Sequence, residues 1–110
     1  MAYNDYEVIT YKILKYLYDC LKEDDDIERI RLTREYYDVP RKYWEFILCN
    51  LIECGFVSGI IASNTKDGYV FSDLTDAEIT VKGITYLHEN NAFKKVQVAL
   101  KEAKDIIPGI

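Results

Sequence analysis

Apolar positions repeat at helical spacing along the first fifth of the chain. Tyr6, Ile9, Ile13, Leu14, Leu17, Cys20 and Leu21 form one stripe, which predicts a helix over residues 3 to 22 with Asn4 or Asp5 as its cap. Tyr3, Tyr11, Tyr16 and Tyr18 fall partly off that stripe and read either as an amphipathic rim or as a second face for a partner chain. The acidic run at residues 23 to 26 opposes the helix dipole and marks a stop. Its carboxylates are adjacent rather than alternating and no bend glycine follows, so it does not fit a calcium loop. Ile30-Arg31-Leu32 alternates and predicts a short strand. Thr33 then opens a short helix holding Tyr36 and Tyr37, and Asp38-Val39-Pro40 turns into a longer helix over about 41 to 54. Trp44, Ile47, Leu48, Leu51 and Ile52 are its apolar stripe, and Gly55 is its stop.

Beyond Gly55 the period changes. Residues 56 to 62 and 69 to 72 predict two strands around a turn-forming segment, 63 to 68, that ends in Asp-Gly. Residues 74 to 79 connect to a helix opened by Thr80 and broken near Asn90-Asn91. Gly83 within it disfavours a helix unless the backbone approaches a neighbour closely, and the first helix is the expected neighbour. A last helix, about 92 to 107, carries Phe93, Val96, Leu100, Ala103 and Ile107 on one stripe.

A short helix, a tight turn, a longer helix and a hairpin predict a mainly α protein with a small antiparallel β-hairpin, an α+β winged helix-turn-helix. The expected order is α-β-α-α-β-β-α-α over one domain, residues 1 to 110. The helix-turn-helix takes 33 to 54, the wing 56 to 73 and the C-terminal helices 80 to 107. Ile13, Leu17, Leu32, Trp44, Leu48, Leu51, Phe56, Val70, Ile84 and Leu87 are the expected core. The long final stripe predicts a homodimer with Leu100 and Ile107 partly between chains.

Composition narrows the class. The chain has 110 residues and 49% apolar content, ordinary for a globular protein. No apolar run approaches the roughly 20 residues that span a bilayer. The amino-terminal residues lack a secretory pattern, so the cytoplasm is expected, with no membrane partner. Cys20, Cys49 and Cys54 match no zinc-ligand spacing and read mainly as reduced packing thiols, with a redox role left open. No metal or other cofactor is implied.

Enzyme chemistry finds little support. His88 is the single histidine and falls beside Glu89 near a helix end, a surface position. No nucleophile elbow or phosphate-binding glycine loop is present, so no catalytic residues are assigned. Double-stranded DNA is the expected partner by position. The start of the second helix of such a unit meets base edges, which selects Arg41, Lys42 and Glu45, with Asn50 further along. Arg34 and Lys66 would hold phosphates. The net charge of −5 and the acids Asp38, Glu45 and Glu53 weigh against that partner. The alternative is a protein-binding face through Tyr43, Phe46 and Cys49, since aromatics beside an arginine are typical of interface anchors.

Leu32-Thr33-x-Glu35-x-Tyr37-x-Val39, then Trp44 to Leu51-x-x-x-Gly55-Phe56-Val57, then Ile79-Thr80-x-x-Gly83-x-x-Tyr86-Leu87 together resemble the YjcQ family of small Firmicute and prophage proteins. The resemblance runs over essentially the whole chain. It implies a winged-helix fold, a bacterial or prophage origin and no established activity, and it supplies no site residues. Family members often have an acidic segment where Arg41 and Lys42 stand, so this chain is more basic there.

Overall fold

The computed structural model describes residues 3–106. Five helices and two small antiparallel sheets make up the α+β fold. Helix α1, Tyr6–Glu23, buries Val8, Ile9, Ile13, Leu14 and Leu17, while Leu21, expected on the same stripe, is exposed. It stops where Asp24 turns left-handed.

The strand expected at Ile30-Arg31-Leu32 is instead a turn of 3-10 helix, Arg29–Leu32. Its bonds are local, from the Arg31 N–H to Glu28 O at 3.0 Å and from the Thr33 N–H to Ile30 O at 3.2 Å. No strand among the described residues offers it a ladder. The alternation therefore has no sheet to serve, and only Leu32 is buried.

Thr33 caps α2, Arg34–Tyr37, by accepting from the Tyr36 N–H, and Asp38 ends it in the left-handed region. Pro40 then starts α3, Arg41–Glu53, which buries Trp44, Ile47, Leu48 and Leu51. At its end the Phe56 N–H reaches Leu51 O and the Gly55 N–H reaches Ile52 O, each at 3.0 Å. With Gly55 at φ +76°, those bonds form a Schellman stop.

The strand expected over 56 to 62 is split at Gly59, whose backbone has φ +89°. Before the split, β1, Val57–Ser58, pairs with β4, Glu78–Ile79, a strand inside the expected connector. A 3-10 turn, Leu74–Asp76, precedes β4. After the split, β2, Ile61–Thr65, pairs with β3, Gly68–Ser72, as a separate hairpin. Val70 was expected in the core but is 54% exposed. Its register opposite Ser63 puts it on the outer face with Ile61, and the inward partner is Phe71, which packs against the core.

Helices α4, Val81–Glu89, and α5, Asn91–Ile106, return against α1. Thr80 caps α4 by accepting from the Gly83 N–H at 3.0 Å and also donates to Gly55 O at 2.6 Å. The close approach that Gly83 permits is to the Phe56 carbonyl and Ile79, not to α1. Of the expected core, Ile13, Leu17, Leu32, Trp44, Leu48, Leu51 and Leu87 are buried, whereas Phe56 and Ile84 are half-buried at its edge. On α5, Phe93 and Val96 are buried and Leu100 packs partly on the same core. Ile107 lies outside the described residues. Cys20 is buried, Cys49 half-buried and Cys54 exposed, and all three are free thiols. No helix among the described residues is long and apolar enough to cross a membrane.

Candidate functional site

Helix α3 and the β2–β3 hairpin enclose an open groove of about 800 Å³. Cross-strand pairing fixes which hairpin side chains face it. Asn64 and Tyr69 are directly opposite each other, so they share a face, and both line the groove. Lys66, in the turn between the strands, lines it from the tip, and Lys42 and Phe46 line it from α3.

Arg41 and Glu45 join the two walls. They are one helical turn apart and form an ion pair at 3.5 Å. The Arg41 guanidinium also donates to the Asp67 carbonyl, and the Glu45 carboxylate accepts from the Tyr69 N–H. Each member of the pair therefore holds a backbone group of the hairpin. Glu45 is well covered, with 12% of its side chain exposed, against 52% for Arg41. From sequence, Glu45 reads only as a residue near base edges that repels phosphate, and not as a hairpin anchor, although the i, i+4 Arg–Glu spacing is a visible signal that the two interact.

The remaining sequence-selected residues separate into two groups. Lys42 and Lys66 are exposed and form no ion pair among the described residues. Arg34 is turned back on its own helix-turn segment, with its guanidinium 3.5 Å from Val39 O and 3.8 Å from the Glu35 carboxylate. Asn50 is half-buried on α3 and does not line the groove. The structure thus brings Arg41, Lys42 and Lys66 together and leaves Arg34 and Asn50 outside.

The two aromatics proposed for a protein face also differ. The Tyr43 hydroxyl donates to Asn4 O at 2.7 Å, tying α3 to the start of α1. Burial raises its pKa, and the nearby carboxylates Asp5 and Glu7 add to that. Phe46 is 59% exposed and stands edge-to-face with Tyr6, with ring centres 5.9 Å apart. Cys49 lines the groove as a thiol, because burial first, and then Glu53 and Glu45, push its pKa up. His88 is exposed, as expected, and packs edge-on against Tyr18.

These features define a small helical protein whose third helix is pinned to a β-hairpin across a groove carrying both charges. Residues 11–106 match the model of the YjcQ protein family, and the chain belongs to that family. No curated protein and no solved structure gives a significant match.

Proposed function

We propose that α2, α3 and the β2–β3 hairpin form a winged helix-turn-helix, and that the protein is a non-enzymatic, DNA-binding transcriptional regulator of bacterial or prophage origin, acting in the cytoplasm as a homodimer. The observation that carries this reading is the pair Lys42 and Lys66, two cations with no ion-pair partner among the described residues that line one groove from α3 and from the hairpin. In this architecture a duplex is gripped between the start of the second helix and the wing. Lys66 would take a phosphate, and Lys42 a phosphate or a base edge. Phe46, exposed on α3 and lining the same groove, is suited to a thymine methyl. Arg41 acts as a positioning residue, because its guanidinium holds the hairpin on which Lys66 stands.

The test is duplex retardation as salt is raised. Wild type should bind at low salt and weaken steeply, since phosphate neutralisation releases counterions. Lys42→Glu combined with Lys66→Glu should abolish binding with the melting temperature nearly unchanged, because exposed charges contribute little to stability. No retardation by the wild type at low salt overturns the DNA reading. Binding that survives the double reversal assigns the duplex to another face.

A further inference from the structure

A second cavity shares no residue with the groove. Helix α1, the end of α4 and the start of α5 enclose a cleft of about 260 Å³. Tyr11, Leu87 and Phe93 form its buried apolar floor. Its walls carry Lys15, Lys22, His88 and Lys94, and no carboxylate lines it. The whole chain has 19 acidic residues against 14 lysines and arginines, so a lining with cations alone runs against the overall balance.

The local sequence explains the convergence. Tyr11, Lys15, Tyr18 and Lys22 recur at three- and four-residue steps, so they share one face of α1. The break at Asn90 then brings the last turn of α4 and the first turn of α5 over that face. Lys15 is neutralised at the rim by Asp19, at 2.7 Å, with Glu23 adding a weaker attraction. Lys22 rests on an aromatic ring instead of a carboxylate, its ammonium 4.6 Å from the Tyr18 ring centre. Lys94 makes no ion pair among the described residues. His88 stands edge-on to Tyr18 with ring centres 5.3 Å apart, and both it and Lys22 line the cleft.

We propose that this cleft binds a small phosphate-bearing anion, with Lys22 and Lys94 supplying the charge and His88, Tyr18 and Gln97 supplying further donors. Lys22 and Lys94 both line the cleft and no carboxylate lines it, so a dianion seated there would meet cations alone. The volume of about 260 Å³ falls just below the usual range for drug-sized ligand pockets, roughly 300–1,000 Å³, which suits a small phosphate monoester or at most a mononucleotide. Polymer backbone is a poorer fit, because the floor is concave and closed by Phe93 and Leu87.

The experiment is an NMR titration of the full chain with inorganic phosphate, with 5′-AMP and, separately, with a short DNA duplex. Phosphate and 5′-AMP should shift the His88 ring protons and the Lys94 amide in a saturable manner at millimolar concentration or below. Lys22→Gln with Lys94→Gln should weaken that binding about tenfold or more, the scale of losing charged hydrogen bonds. The melting curve of this variant should match wild type, since both side chains end at the surface. Absence of saturable shifts with either small anion overturns the proposal. So does a response at His88 and Lys94 to the duplex alone, which would assign the cleft to nucleic-acid backbone. A wild type that does not respond to the duplex at Lys42 and Lys66, with the anion response intact, would defeat the DNA reading and leave this cleft standing.

Discussion

Arg41 and Glu45 sit one turn apart on α3 and each holds the backbone of the opposing hairpin, Arg41 through the Asp67 carbonyl and Glu45 through the Tyr69 N–H. The hairpin has its own two-stranded ladder and pairs with no other strand among the described residues. A two-stranded hairpin is marginal alone in water, so its orientation depends on the contacts that dock it. Phe71 supplies the apolar contact near its base, and the Arg41–Glu45 pair supplies the polar one near its tip.

Glu45→Ala should therefore free the hairpin tip without unfolding the helices. The lost charge-assisted bond to a partly covered amide costs about 1.5–3 kcal/mol locally. Hydrogen exchange at the Tyr69 amide should accelerate by one to two orders of magnitude, while exchange at Leu48 and Leu51 stays slow. Glu45→Gln keeps an acceptor and should give a smaller increase. Equal protection of Tyr69 in wild type and Glu45→Ala would show that the carboxylate does not anchor the hairpin.

Trp44 is buried at the centre of the α2–α3 unit and stacks on Tyr37, with ring centres 5.5 Å apart and planes 20° apart. Trp44→Ala should cost about 3–5 kcal/mol through lost burial and the cavity left behind. Urea denaturation followed by circular dichroism measures this directly. A midpoint within error of wild type would mean that the stack contributes nothing to the fold.

Long-period signals in the sequence were reliable where a single neighbour explains them. The stripe of α3, the caps Thr33 and Thr80, and the Gly55 stop were all legible, because each depends on residues within a few positions. What the sequence hid was pairing. Val57 reads as part of a hairpin strand over 56 to 62, yet its partner is Ile79, across more than twenty residues. Alternation also identified a strand at residues 69 to 72 without saying which side faces inward, so Val70 was placed where Phe71 belongs. In the groove, positions of Lys42 and Lys66 were legible from the turn geometry. Whether Arg41 was free or engaged was not, because its partner Asp67 is 26 residues away.

Gly83 separates intrinsic propensity from packing. On propensity alone, Ala in a helix is favoured over Gly by about 1 kcal/mol. Here a Cβ would intrude on the Phe56 carbonyl oxygen and lie 2.8 Å from Ile79 Cγ1. The Phe56 carbonyl is also bonded to the Thr80 N–H at 3.0 Å, so it cannot retreat freely. Steric overlap wins, and Gly83→Ala should lower stability by about 1–3 kcal/mol. A thermal melt shifted upward by this substitution would show that the α4 backbone has room to move away.

Tyr37 offers a test of the buried hydroxyl beneath α2. Its oxygen is buried and has no hydrogen-bond partner among the described residues, and burial raises its pKa well above the ordinary value of 10.0. Arg31 opposes the shift, but it is the smaller effect. The folded state therefore holds the phenol proton more tightly than the unfolded chain does. That contribution is present in full below about pH 10 and is lost as pH rises past it towards the raised folded value. Tyr16, Tyr43 and Tyr86 are shifted in the same direction, so the wild type should lose stability steadily on the alkaline side. Tyr37→Phe keeps the ring against Trp44 and removes the unpaired hydroxyl. At neutral pH it should be neutral or stabilising by up to about 1 kcal/mol, and above pH 10 its stability should fall less steeply than that of the wild type. Urea midpoints collected from pH 7 to pH 11 distinguish the outcomes. Parallel curves for the two proteins would mean that Tyr37 ionises equally in both states. A Phe variant weaker by more than about 1 kcal/mol at neutral pH would mean that an ordered water pairs the hydroxyl.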